Sequence, residues 1–192
     1  MNTKNKIFHL CIFLACILFS VRANAQFNRI GGGLTFSPGI DNTTYETGNP
    51  GFNARGVYEL GDKLWAIPSM TFYVPKTRTD QNTGDSRKTF FGSIDANVAY
   101  TLTTESTLLF YALGGINLTG LRTAYKSDDP ALVNNFEALP GINIGTGIEM
   151  IVEKDINAFT QIKYVIGQPP AQYLVISVGV HYYITGRRFN SW

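Results

Sequence analysis

At 192 residues the chain suits one domain, with 44% hydrophobic and 16% charged residues and a formal net charge of +2. Lys4, Lys6 and Arg22 carry the basic excess; beyond residue 25, thirteen basic residues face fourteen acidic ones, so charge offers no case for nucleic acid. Both cysteines, Cys11 and Cys16, also lie before residue 26, which excludes a disulfide framework and a thiol nucleophile from the rest of the chain.

Residues 1–25 read as a signal peptide. Lys4 and Lys6 form a basic start, "IFHLCIFLACILFSV" an apolar core, and Ala23 and Ala25 supply the small residues of a cleavage site before Gln26. The apolar run falls short of the ~20 residues a spanning helix needs. Cys16 sits inside that run, which argues against a lipidated cysteine. Residues 26–192 then form one exported domain.

Eight segments of that domain alternate apolar and polar residues with a period of two, the signature of a strand with two unlike faces. They are 27–36, 51–60, 64–74, 89–102, 107–120, 140–151, 156–167 and 173–184. In "FNRIGGGLTF" Ile30, Leu34 and Phe36 oppose Arg29, Gly31, Gly33 and Thr35. In the last, Leu174, Ile176, Val178, Val180 and Tyr182 oppose Val175, Ser177, Gly179, His181 and Tyr183. Pro68 interrupts the third segment; it removes a ladder donor, and a local bulge is expected there. A length of about 10–14 residues exceeds the usual ~5–6 of a soluble strand and suits the ~9–11 of a tilted strand crossing a bilayer.

The links alternate in length. "GDK", "TTES" and "VEKD" are tight, whereas residues 37–50, 75–88 and 121–139 are long and "QPPAQ" is of middle length. An up-and-down meander with long links at one end follows, the asymmetry of outer-membrane barrels. The expected fold is all-β: an eight-stranded antiparallel up-and-down transmembrane β-barrel. A soluble lipocalin-type carrier would reverse the faces. Three observations favour lipid outside. The polar face carries few strand charges. It is rich in glycine and small polar residues that fit a narrow interior. Aromatics gather in two belts, Tyr58, Tyr100, Phe110 and Tyr182 near the short turns, and Phe36, Phe52, Phe72 and Tyr173 near the long links.

The eight-strand meander, "YALGGINLTG", "GINIGTGIEM" and the closing "ISVGVHYYI" make the chain resemble the small outer-membrane β-barrel family of the OmpX and OmpA-barrel type. The resemblance spans residues 26–192. It implies residence in the cell outer membrane, contact with its lipid and lipopolysaccharide, and insertion by the barrel assembly machinery. That machinery reads aromatics near the last strand's end; here Tyr182 and Tyr183 are followed by "TGRRFNSW". A monomer is expected.

An enzymatic reading has little to stand on. Ser177 and His181 share a face but lie about 13 Å apart along an extended strand, beyond the ~3 Å a base needs. Barrel enzymes that modify lipid A use such residues, so that class is the alternative. No cofactor or metal is expected; the glycines of "NIGTGIEM" lie inside an alternating strand with no helix to complete a phosphate cradle. The expected sites are of two kinds. Arg29, Arg55, Glu59, Asp95, Glu149, Lys163 and His181 form a polar network in the lumen, neutralised because unpaired buried charge is costly. Lys76, Arg78, Arg87, Lys88 and Tyr125, with Tyr45, Asp128 and Asp129, are candidate contacts on long links, where a rigid barrel displays binding residues. The "GDK" turn sets Leu60 against Leu64 and therefore Arg55 against Ser69. Matching polar faces then puts Ser69 beside Asp95, so Arg55 is expected to pair with Asp95, or else with Glu59. The function expected is structural or adhesive, through external links and without an open channel.

Overall fold

The computed structural model describes residues 28–38, 49–79, 85–105, 107–126, 134–168 and 172–184. The signal segment, Tyr45, Asp128, Asp129 and "TGRRFNSW" lie outside the described residues.

Nine strands run in chain order: β1 (Arg29–Ser37), β2 (Asn49–Glu59), β3 (Leu64–Tyr73), β4 (Lys76–Thr79), β5 (Ser86–Glu105), β6 (Leu108–Lys126), β7 (Asn135–Glu153), β8 (Ile156–Gly167) and β9 (Tyr173–Tyr183). Chain neighbours pair antiparallel except β3 and β4, which both pair with β5, and β1 pairs with β9. β3 and β4 are one stave broken at Val74–Pro75, so the barrel is closed and eight-stranded. Closure leaves no lipid-exposed edge at membrane depth, where unpaired backbone groups have no water to bond.

The alternation assigns the faces as the physics of a bilayer requires. Among the described residues, twenty polar or charged side chains and thirteen apolar ones are buried, while twenty-nine large apolar side chains are exposed. A lipocalin-type carrier needs the reverse, an apolar interior. The outward aromatics form two belts, Tyr58, Tyr100, Phe110 and Tyr182 toward the short turns and Phe36, Phe52, Phe72 and Tyr164 toward the other end. Tyr173 is a correction. It opens β9 on the inward phase, is 1% exposed and bonds the Thr119 hydroxyl at 2.8 Å.

The tight "GDK" turn sets the register as its length dictates. The Leu60 amide donates to the Leu64 carbonyl (2.9 Å), and Arg55 faces Ser69, which faces Asp95. Pro68 makes no bulge. Arg55↔Ser69 and Tyr58↔Ala66 share one register, and Pro68 pairs in step with Ala96. The missing donor is accommodated by skipping the β2 rungs at Gly56 and Val57. Register shifts occur instead beside the other short turns, between Thr101 and Thr103 and between Ile151 and Glu153.

The second correction concerns the long links. Residues 76–79, 86–88, 121–126 and 135–139 are strand, not loop. They carry β4–β7 beyond their neighbours: β7 meets β8 only from Gly141 downward, whereas it pairs with β6 up to Asn135. The result is a four-stranded wall standing above the barrel rim. Its extra three to six residues per strand add about 8–15 Å at ~3.3 Å per residue and ~40° tilt.

Glycine is required where β1 closes on β9. A Cβ on Gly33 would fall on the Val178 carbonyl oxygen and 2.5 Å from the Gly179 Cα. Because backbone cannot retreat as a side-chain tip can, Gly33→Ala is expected to cost about 1–3 kcal/mol. Gly61→Ala, with nothing within 4 Å, should be near neutral. Urea midpoints of the two variants refolded into vesicles check this; equal midpoints would refute the tight seam.

Candidate functional site

The lumen is filled in layers, each built from the inward phase of several strands. At the short-turn end Arg29 from β1 is almost wholly buried and makes a charge-assisted hydrogen bond to Glu149 from β7. Its other nitrogen lies 3.5 Å from Glu59, which is 35% exposed. Its guanidinium carbon stands 4.4 Å from the Trp65 ring centroid and 5.2 Å from that of Tyr183. Glu149 also accepts from Asn157 (2.6 Å) and lies 3.3 Å from Nδ1 of His181, whose ring stacks on Phe159 at 4.5 Å. One carboxylate thus gathers a guanidinium, an amide and an imidazole. Beside it Val57, the ladder partner of Arg29, packs with Trp65, Ile67, Ala99, Tyr111 and Leu113 as an apolar cluster.

A second ionic layer centres on Asp95. Lys163 Nζ is 2.7 Å from its Oδ2. Asn117 and Asn143 donate to Oδ1 at 2.7 and 2.9 Å, and the Ser69 and Ser93 hydroxyls reach Oδ2 at 3.3 and 3.5 Å. Arg55 lies between the layers and takes neutral partners. Its Nε donates to Asn53 Oδ1 (2.7 Å), its Nη1 to Gln161 Oε1 (2.8 Å), and its plane covers the Phe159 ring at 3.9 Å. At the long-link end Tyr73, Phe91, Leu121, Val165, Tyr173 and Val175 fill the lumen with a second apolar cluster.

The structure buries six of the seven expected lumen residues, leaves Glu59 part-exposed at the short-turn rim, and pairs them differently from expectation. The row Arg55–Ser69–Asp95 is present, yet Asp95 belongs to Lys163 and Glu59 to Arg29. Lys163 reaches across the lumen from β8, and its flexible stem delivers a compact charge that a rigid, ring-stacked guanidinium does not. Sequence reasoning missed the amide acceptors and donors, Asn53, Asn117, Asn143, Asn157 and Gln161. Each stands on the inward phase of its strand, and that phase was the available signal.

Ser177 and His181 have separate partners. The Ser177 hydroxyl meets Thr35 at 3.0 Å, whereas His181 faces Glu149 and Phe159. Among the described residues no group of three or more His, Cys, Asp or Glu side chains could hold a metal. The candidate contact residues divide over the raised wall. Lys76, paired with Thr89, and Arg87, paired with Tyr125, are on the face above the barrel mouth. Arg78 holds the register position opposite Arg87, and Lys88 stands on the outer face.

No protein-family model and no curated protein matches the sequence. Solved structures match over most of the chain. Neisserial surface protein A aligns with a TM-score of 0.63 at 14% identity, covering 83% of this chain and 98% of that one. Ail, the attachment invasion locus protein of Yersinia pestis, aligns with a TM-score of 0.58 at 14% identity, covering 80% and 95%. The outer-membrane protein OprG of Pseudomonas aeruginosa aligns with a TM-score of 0.57 at 14% identity, covering 80% and 93%. The chain has the fold of these small outer-membrane barrels.

Proposed function

We propose that the chain is exported through residues 1–25, inserted into the outer membrane by the barrel assembly machinery, and works there as a monomeric, non-enzymatic barrel. Its role on this reading is structural or adhesive, exercised through the raised wall and long links. The observation that carries the reading is a lumen filled by two ionic groups and two apolar clusters beneath a wall that stands clear of the rim. Such a filled interior supports a role without an open channel, since water-filled channels belong to wider barrels. What remains for contacts is the wall, with Lys76, Arg87 and Tyr125 on the mouth side, Arg78 at the register position opposite Arg87, and Lys88 toward surrounding lipopolysaccharide. The likeness to a protein named for attachment and invasion supports the adhesive form of the reading.

Fractionation followed by planar-bilayer recording tests it. The protein should appear in the outer-membrane fraction, migrate differently in gels when boiled, and form no steady small-solute channel. Reproducible porin-sized conductance would overturn the plugged-barrel role.

A further inference from the structure

The outer face of the raised wall differs from the lipid-facing band below it and from the wall's inner face. Phe90, Arg122 and Phe136 form one row across β5, β6 and β7, because Phe90 pairs with Arg122 and Arg122 with Phe136. Lys88 is the next outward residue above Phe90. Its Nζ lies 5.0 Å from the Phe90 ring centroid, and the Arg122 guanidinium carbon lies 6.0 Å from the same centroid. Lys88 and Arg122 are exposed, and Phe136 is 67% exposed. Following the alternation, the described outward positions of the wall include three basic residues, Lys88, Arg122 and Lys126, and no acidic one. Glu137 has the opposite phase and pairs with the buried Leu121.

Two cations sharing one aromatic ring without a carboxylate repel each other until an anion sits between them. The ring helps to hold both through its negative face. Directly beneath this row Gly92 pairs with Gly120, and Ile94 with Leu118, where the exposed apolar band begins. The basic row therefore lies at the rim of the lipid-facing surface, at the long-link end. There an ammonium and a guanidinium meet the phosphate of a lipid whose chains lie along the band.

We propose that Lys88 and Arg122, framed by Phe90 and Phe136, form a site for the phosphate groups of a phosphorylated, multiply acylated glycolipid of the lipid A class. The acyl chains run down over Ile94, Leu118 and Ile142. Continuity with the band favours a lipid over a soluble anion, and three cations along one face suit a headgroup with more than one phosphate. The site rests on the outer-membrane reading above and adds to it the phosphate groups as the part held, with Arg122, Phe90 and Phe136 completing the site around Lys88.

Native mass spectrometry of residues 26–192, refolded in detergent, tests the site with bisphosphorylated lipid A, dephosphorylated lipid A and phosphatidylglycerol as probes. The wild type should retain the bisphosphorylated form in preference to the other two. Lys88→Gln with Arg122→Gln should lower that retention at least about tenfold, the scale of losing charge-assisted contacts. Lys88→Gln alone should fall between, and Lys154→Gln at the opposite end should match the wild type. Equal retention by the double variant, or phosphatidylglycerol held as well as lipid A, would overturn the site. The heat-modifiable gel shift and vesicle insertion of the same samples read the parent proposal separately. Their loss in the wild type removes the membrane reading, whereas their presence with indifferent lipid retention removes only this site.

Discussion

Glu149→Ala is expected to destabilise the barrel by about 3–5 kcal/mol, the cost of removing one partner from a buried ion pair. Glu149 is 2% exposed and is the carboxylate that Arg29, His181 and Asn157 share. Without it Arg29 keeps only Glu59, at 3.5 Å and part-exposed, together with the faces of Trp65 and Tyr183. Those ring faces attract the guanidinium but offer it no carboxylate to balance its charge. Glu149→Gln keeps an acceptor oxygen for Arg29 and Asn157 and should lose less. Adding Arg29→Met to Glu149→Ala should restore much of the stability, since the stranded charge leaves with it. Urea unfolding in vesicles measures all three. An Ala variant within about 1 kcal/mol of the wild type would show that water reaches the layer and that the short-turn end is open.

Asp95→Ala should cost about 3–5 kcal/mol for the same reason, with the coupling pointing to Lys163 rather than to Arg55. Asp95 receives the Lys163 ammonium at 2.7 Å and hydrogen bonds from Asn117, Asn143, Ser69 and Ser93. Lys163→Met in the Asp95→Ala background should recover much of the loss, because an unpaired buried ammonium is then no longer held there. Arg55→Met should not, because Arg55 donates its hydrogen bonds to neutral Asn53 and Gln161 and lies on Phe159. A pair of double-mutant cycles separates the two: interaction energies of about 0.5–3 kcal/mol mark residues that touch, while near-additivity marks those that do not. A larger coupling for Arg55 than for Lys163 would mean the lumen is packed otherwise.

The period of two determined by itself which residues of each segment face inward, since neighbouring side chains on a strand must point to opposite faces. Arg29, Arg55, Asp95, Glu149, Lys163 and His181 were legible as lumen residues for that reason alone. The three-residue "GDK" turn likewise determined the β2–β3 register, because so short a link leaves the two strands no freedom to slide. Where the links were long, composition misled. Residues 121–126 and 135–139 look like loop in isolation and become strand only because they continue a ladder already formed below them. Tyr173 looked like a belt residue by its position near a strand end, but its phase sends it inward to Thr119. The pairing of charges was decided by the tertiary structure alone. Asp95 and Lys163 stand on β5 and β8, which share no ladder, and they meet only because closing the sheet brings opposite walls within reach of a side chain. Arg55, two strands from Asp95 in the row read from the sequence, is drawn elsewhere by Phe159 and Gln161 across the same lumen. Strand-to-strand distance is written in the chain, whereas distance across a barrel is set by its curvature, which no local stretch of sequence contains.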